Sequence, residues 1–75
     1  MDRLTEIRKN VFARIEKVDE SAPLKIKRRL LELGFTKGQK IRVVEKSLSK
    51  QTFLVELRGY CLSMRKNLAS YIVVE

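Results

Sequence analysis

The stretch 25–38 constrains the fold most, because it has the pattern of one short amphipathic helix that stops at a glycine and turns into a strand. Apolar side chains recur on one side of its helical wheel, and charged side chains occupy the other side. One side is therefore predicted to pack against a core, and the other to face solvent or a partner. The apolar arc comprises Ile26, Leu30 and Leu33, extended by Leu24 and Leu31, and the charged side comprises Lys25, Arg28, Arg29 and Glu32.

Both ends of this helix carry recognisable signals. Gly34 stands where a left-handed residue would close the helix, and Phe35 just beyond it is predicted to fold back on Leu30. Ser21 is predicted to cap the first turn, and Pro23 fits in that turn because its missing N–H is not needed there. The end of the helix is thus more sharply specified than its start.

The length and composition favour one small soluble domain covering residues 1–75. The chain is 44% hydrophobic and 35% charged, a balance that argues against disorder. No apolar run is long enough to cross a bilayer, and the first ten residues lack the apolar core of a signal peptide. We therefore expect a cytoplasmic protein that does not insert into the membrane.

Positive charge is concentrated in the later part of the chain. Residues 1–20 hold five basic and five acidic side chains, whereas residues 21–75 hold twelve basic and four acidic ones, which gives the whole net charge of +8. This asymmetry favours an anionic partner, which could be nucleic acid, an acidic protein face or a membrane surface. A solvated basic surface that keeps a small protein in solution explains the charge equally well.

Alternation of apolar and polar residues predicts five short strands around the helix, in a mainly β fold. In the first of them Val11, Ala13 and Ile15 are predicted to face inward, and Phe12 and Arg14 outward. One flat sheet of this size would leave its edges open, so we expect closure into a small barrel, with the helix between strands one and two. The strands are predicted at Val11–Val18, Lys40–Lys46, Thr52–Arg58, Cys61–Met64 and Tyr71–Glu75, with a tight turn at Gly59-Tyr60 and a helical turn at Arg65–Ala69.

The residues needed for catalysis or for a tight metal site are scarce. The chain has no histidine, so the commonest general base and soft-metal ligand is missing. Its single cysteine, Cys61, has no such base to activate it, and its three glycines are isolated rather than grouped in a phosphate-binding loop. We therefore predict that the chain is not an enzyme, and that Cys61 could contribute at most to a metal site shared between molecules.

Four motifs follow one another along the chain: Arg28–Phe35 with Lys37-Gly38, Val43-Val44, Val55–Arg65 and Ile72–Glu75. Their order and spacing resemble those of the FeoA family, the small cytosolic A proteins of ferrous iron transport. The resemblance runs from about Val11 to Glu75 and departs from the family in the loop Ser47–Thr52, where many relatives carry a Pro-Leu-Gly-Asp-Pro-like segment. It implies an SH3-like barrel and kinship with the C-terminal domain of metal-dependent repressors.

The resemblance also implies a function, namely accessory or regulatory action on the cytoplasmic G-protein part of the membrane transporter FeoB. The residues predicted to dock are Lys25, Arg28 and Arg29 on the exposed helix side, with Leu48 and Lys50 in the adjacent loop. No tightly bound cofactor is expected, although weak binding of Fe²⁺ or another divalent transition metal is compatible with the sequence. Two alternatives stay open: a small basic barrel that binds nucleic acid, and a metal-responsive regulatory domain.

Overall fold

The computed structural model describes residues 2–75, which form six antiparallel strands in one sheet and two helices. The strands are β1 (Asp2–Arg3), β2 (Ala13–Val18), β3 (Lys40–Lys46), β4 (Thr52–Leu57), β5 (Tyr60–Arg65) and β6 (Ile72–Val74). The helices are α1 (Leu24–Glu32), between β2 and β3, and the short α2 (Lys66–Ala69), between β5 and β6. The sheet order is β1-β6-β2-β3-β4-β5, so β1 and β5 are its two edges.

The five predicted strands are all present, and β1 is a sixth that periodicity could not reveal because it has two residues. It pairs with β6 and continues into a 3₁₀ turn, Leu4–Glu6, in which Leu4 is completely buried. Helix α2 follows β5 directly and contacts this 3₁₀ turn, so the two edges of the sheet approach one another around the core. The predicted closure therefore depends partly on these short elements.

The core is formed by apolar side chains from every long element, and no charged or polar side chain in residues 2–75 is buried with them. The apolar side chains of the predicted helix and strands reach this core to different depths. Leu30, Phe35, Val43 and Val55 are buried, and Leu33 and Leu62 are half-buried against the core.

Strand β2 differs from its prediction at both ends. It begins at Ala13, and Val11, which was expected to face inward, is exposed. The backbone N–H of the preceding Asn10 donates to the Val43 carbonyl oxygen with a positive φ of 66° at Asn10, so the chain bends before the strand starts. A bulge between Ile15 and Lys17 then shifts the alternation, which allows both Ile15 and Val18 to face the core.

Helix α1 ends as predicted. The Phe35 N–H donates to the Leu30 carbonyl and the Gly34 N–H donates to the Leu31 carbonyl, which is the hydrogen-bond pair of a Schellman cap. The predicted cap at the other end is wrong. Pro23 is the N-cap residue, and no side chain within residues 2–75 caps the helix. Ser21 lies two residues before the N-cap position, in the preceding turn, where its N–H donates to Asp19 Oδ1.

Gly34 and Gly38 both have a positive φ, but only one of them is crowded, which gives a matched pair of substitutions. A β-carbon at Gly34, where φ is +107°, would lie 2.8 Å from Arg58 Cδ, whereas a β-carbon at Gly38, where φ is +86°, would meet nothing within 4 Å. We expect Gly34→Ala to lower the free energy of unfolding by about 2 kcal/mol and Gly38→Ala by about 1 kcal/mol, measured by urea denaturation. Equal losses would show that displacing Arg58 costs nothing.

Asp19 makes the stability of the fold depend on pH in the acid range. The backbone N–H of Ser21, the Ser21 hydroxyl and the Arg3 guanidinium all favour its carboxylate, and they lower the pKa of Asp19 from 3.8 to about 2. A lowered pKa in the folded state adds stability that is present above pH 3.8 and is lost as the pH falls towards 2. We expect Asp19→Asn to remove this part of the acid destabilisation, measured as the midpoint of urea unfolding at several pH values.

The matched comparison for this prediction is Arg3→Gln, which removes one partner of the carboxylate and leaves the Ser21 bond in place. In that variant the midpoint of urea unfolding should keep part of its dependence on pH. An unchanged slope between pH 4 and pH 2 in Asp19→Asn would contradict the assignment.

Candidate functional site

Two leucines of α1 that were predicted to extend the buried arc lie on the surface. Leu24 is 69% exposed and Leu31 is 45% exposed, so this part of the prediction is wrong. Successive helical residues are rotated by about 100°, which directs both side chains roughly a quarter turn or more away from the fully buried Leu30. The core reaches only the narrower strip formed by Ile26, Leu30 and Leu33.

The predicted basic residues of α1, Lys25, Arg28 and Arg29, are all exposed. None of them forms an ion pair within residues 2–75, and Glu32 is the one acidic residue of α1. The helix therefore carries four basic residues and one acidic residue, a net charge of +3, and none of its basic side chains forms an ion pair within residues 2–75. The four ion pairs that the structure shows in this range are Arg3–Asp19, Lys9–Glu45, Lys37–Glu16 and Arg42–Glu56.

The exposed leucines and the basic residues form one continuous patch. Leu24, Arg28 and Leu31 are four and three residues apart, so they line up along one face of the helix, and Lys25 and Arg29 lie next to them. We call these five residues the α1 surface. Apolar groups beside an arginine are typical of the centre of protein interfaces, where arginine is enriched.

The body of the protein holds α1 in a fixed position. Ile26, Leu30 and Leu33 pack on the core, and the Tyr60 hydroxyl donates to the Leu33 carbonyl oxygen across 2.5 Å. The Arg58 side chain lies beside Gly34 at the end of the helix. The α1 surface is thus presented by a rigid element anchored at its C-terminal end by the turn between β4 and β5, which suits recognition.

The other two predicted residues, Leu48 and Lys50, lie in the loop between β3 and β4, and both are exposed. Serine hydrogen bonds order this loop, since Ser47 Oγ accepts from the N–H groups of Gln51 and Thr52. The loop joins β4 at the end opposite the β4–β5 turn that contacts α1, a strand length of about 20 Å. The sequence analysis expected this loop to be adjacent to α1. The structure instead places it away from the C-terminal end of that helix.

A second mixed cluster, which sequence reasoning did not single out, surrounds Phe12. This side chain is 52% exposed, with Lys40 Nζ 4.5 Å and Arg42 Cζ 5.1 Å from the centre of its ring. Arg42 also bonds Glu56 through Nε and Oε1, 2.6 Å apart. A shallow groove of about 310 Å³ borders Phe12 and is also lined by Gln39, Lys40, Glu56, Leu57, Arg58 and Gly59. The predicted outward position of Phe12 was the signal in the sequence that pointed to this cluster. The basic residues that contact the ring come from β3, and the sequence could not show that β3 would place them there.

The donor groups of this chain do not fit a metal site within one molecule. Within residues 2–75, no three cysteine, aspartate or glutamate side chains come together in a group that could hold a metal ion. Cys61 is exposed, and Glu56, its cross-strand neighbour, is bonded to Arg42. A site built on Cys61 would need ligands from a second molecule.

The comparison with protein-family models decides the family. The FeoA domain model matches residues 3–75. The chain belongs to the FeoA family. The match begins before Val11, where the resemblance had been placed, and takes in Arg3 of β1 and the buried Leu4. FeoA proteins are associated with ferrous iron transport, and this chain is therefore an iron-transport-associated domain.

Solved structures of FeoA proteins share the whole fold. The chain is 34% identical to Stenotrophomonas maltophilia FeoA, an SH3 domain protein crystallised with zinc, with a TM-score of 0.87 over 100% of this chain and 91% of that one. It is 30% identical to Chlorobium tepidum FeoA, with a TM-score of 0.86 over 99% of this chain and 69% of that one. The prediction of an SH3-like, mainly β fold with one short helix is confirmed. A comparison with curated proteins gives no match.

The same fold is found in a larger regulatory protein. A manganese-dependent transcriptional repressor matches with a TM-score of 0.86 over 99% of this chain and 35% of the repressor, at 16% identity. At this level of identity the likeness concerns the fold alone. Among residues 2–75, neither helix is of a length and apolarity that would let it span a bilayer.

Proposed function

We propose that this FeoA-family chain is a non-enzymatic cytoplasmic accessory protein that docks, through its α1 surface, on the cytoplasmic G-protein domain of the FeoB transporter. Family membership supports a role in ferrous iron transport. The observation that supports docking is the α1 surface itself, in which net positive charge lies beside two exposed leucines. Its leucines gain free energy when they are removed from water, and its cations match an acidic protein face with an apolar centre.

The exposed leucines favour a protein partner over nucleic acid. Phosphate contacts require basic side chains but gain nothing from aliphatic ones, and single strands are usually held by several stacked aromatic rings. On α1 the neighbours of Arg28 are Leu24 and Leu31, and no aromatic residue occurs in the helix. Phe12 and its cations form a single aromatic group rather than a platform.

The chemistry of the chain supports a role in recognition rather than catalysis. The sequence has no histidine, and Cys61 stands on β5 opposite Glu56, whose carboxylate accepts a hydrogen bond from Arg42. For metals, one thiol and scattered carboxylates support weak binding of Fe²⁺ or a similar ion. We expect calorimetry to show weak metal binding by the intact chain and weaker binding still by Cys61→Ser.

The experiment is isothermal calorimetry of the purified chain against the soluble G-protein domain of FeoB from the same organism, without nucleotide and with GDP or a non-hydrolysable GTP analogue. Single-stranded RNA and duplex DNA are titrated in parallel. We expect saturable binding to the G-protein domain and only weak, strongly salt-dependent binding to nucleic acid. Tight nucleic-acid binding without any affinity for the domain would overturn the proposal.

A further inference from the structure

Within residues 2–75, strand β5 lies at the edge of the sheet and has a pairing partner, β4, on one side only. A two-residue turn, Arg58-Gly59, connects the two strands with φ values of 53° and 82°. Positive φ at both positions is the signature of the type I′ hairpin turn. The turn thus lies at Arg58-Gly59 rather than at Gly59-Tyr60, and it closes on the pair Leu57 and Tyr60.

The position of this turn decides which backbone groups of β5 are free. In a two-residue hairpin the closing pair exchanges hydrogen bonds, and alternate residues along the strand repeat that pattern. Tyr60, Leu62 and Met64 therefore bond to β4, whereas Cys61 and Ser63 direct their N–H and carbonyl groups away from it. Neither Cys61 nor Ser63 makes a backbone or side-chain hydrogen bond outside the sheet within residues 2–75.

The edge formed by β5 lacks most of the features that normally prevent further strand pairing. Such edges are usually shortened, bulged or interrupted by proline. The register from Leu57↔Tyr60 to Thr52↔Arg65 is continuous over six residues, with no bulge and no proline. The opposite edge, β1, has two residues, so strand addition is favoured at β5.

All the charged residues of β5 and of the residues that flank it, positions 58–66, are basic. Arg58, Arg65 and Lys66 are exposed at its two ends, and none of them forms an ion pair within residues 2–75. No acidic residue occurs from position 58 to position 66. The nearest carboxylate on the neighbouring strand, Glu56, is bonded to Arg42.

We propose that β5 binds an extended acidic segment of another protein, which adds a strand to the sheet beside Cys61 and Ser63. Backbone hydrogen bonds would supply the affinity, and the basic residues at both ends of β5 would select acidic side chains. A second copy of the chain is disfavoured as the occupant, because an antiparallel β5–β5 pair would bring the basic ends of two +8 molecules together. This site goes beyond the proposed docking function, because the α1 surface takes no part in it.

The test uses the intact chain and a synthetic peptide of about eight residues that alternates Glu with Val, a strand-forming pattern. Binding is measured by calorimetry, and amide hydrogen exchange is followed by NMR. We expect the amides of Cys61 and Ser63 to exchange rapidly in the free chain and at least about ten-fold more slowly in the complex. Replacing Glu with Lys in the peptide should weaken binding by about ten-fold or more.

The variant that tests the geometry is Ser63→Pro, with Ser63→Ala as its matched control. Proline at this position removes an N–H that points away from β4 and leaves the hydrogen bonds between β4 and β5 intact. We expect Ser63→Pro to weaken peptide binding by about ten-fold and Ser63→Ala to change it by less than about two-fold. Should Ser63→Pro fail to fold, N-methylation of alternate peptide nitrogens tests the same hydrogen bonds without altering the protein.

The outcomes separate this proposal from the one for α1. Reversing the charge of Arg28 and Arg29 should leave peptide binding unchanged, and Ser63→Pro should leave binding to the G-protein domain unchanged. Equal binding of the N-methylated peptide, unaltered exchange at Cys61 and Ser63, or dimerisation of the free chain through β5 would each overturn the inference.

Discussion

Phe35→Ala is expected to lower the free energy of unfolding by about 3–5 kcal/mol, the usual cost of deleting a buried phenylalanine. Phe35 is 1% exposed and follows directly on the cap of α1, where its N–H bonds the Leu30 carbonyl. The side chain thus connects the end of the helix to the core, and its loss would leave a cavity at that junction. Urea denaturation followed by circular dichroism measures the change.

Phe12→Ala is the matched control, because it makes the same substitution on the surface. Phe12 is half-exposed and contacts Lys40 and Arg42 through its ring. We expect a loss of about 1 kcal/mol or less, the usual value of an exposed cation–π contact. A chain of this size has little stability to spare, so Phe35→Leu provides a milder variant if Phe35→Ala is unfolded in buffer. Similar losses for Phe35→Ala and Phe12→Ala would contradict the described core.

Charge reversal at Arg28 and Arg29 is expected to weaken binding to the G-protein domain by at least about ten-fold, chiefly through slower association at low salt. Both side chains are exposed and form no ion pair within residues 2–75, so their replacement by glutamate should not disturb the fold. Affinity is measured by calorimetry and association rates by surface plasmon resonance. Unfolding curves of the double variant should match those of the unmodified chain.

The matched control for this reversal is Arg8→Glu with Lys17→Glu, which changes the net charge by the same amount at two exposed residues outside α1. Neither residue forms an ion pair within residues 2–75. If net charge alone attracts the partner, both double variants will weaken binding equally. If α1 is the docking element, the control will weaken binding only slightly.

The sequence predicted the main elements because their signals are local. Gly34 specified the end of α1, and the alternation in β3 and β4 placed Val43 and Val55 in the core. The pattern failed where a distant contact decides the outcome. Strand β1 is stabilised by pairing with β6, near the other end of the chain, rather than by any periodicity of its own.

The candidate surface was predictable only in part. The basic residues of α1 could be assigned to an exposed side from the helical period alone. The exposure of Leu24 and Leu31 could not be anticipated, because it depends on how far the core extends around the helix. The same limit applies to Phe12, whose cations come from β3, and to the free edge of β5, which depends on the order of strands in the sheet.

The most direct test of the central claim, that α1 is the docking element, is an NMR titration of the isotope-labelled chain with the unlabelled G-protein domain of FeoB. The account predicts that the largest changes in amide signals fall within Leu24–Glu32, with the β3–β4 loop and the β5 edge little affected. Changes confined to other parts of the chain, or the absence of any change at saturating domain, would contradict it.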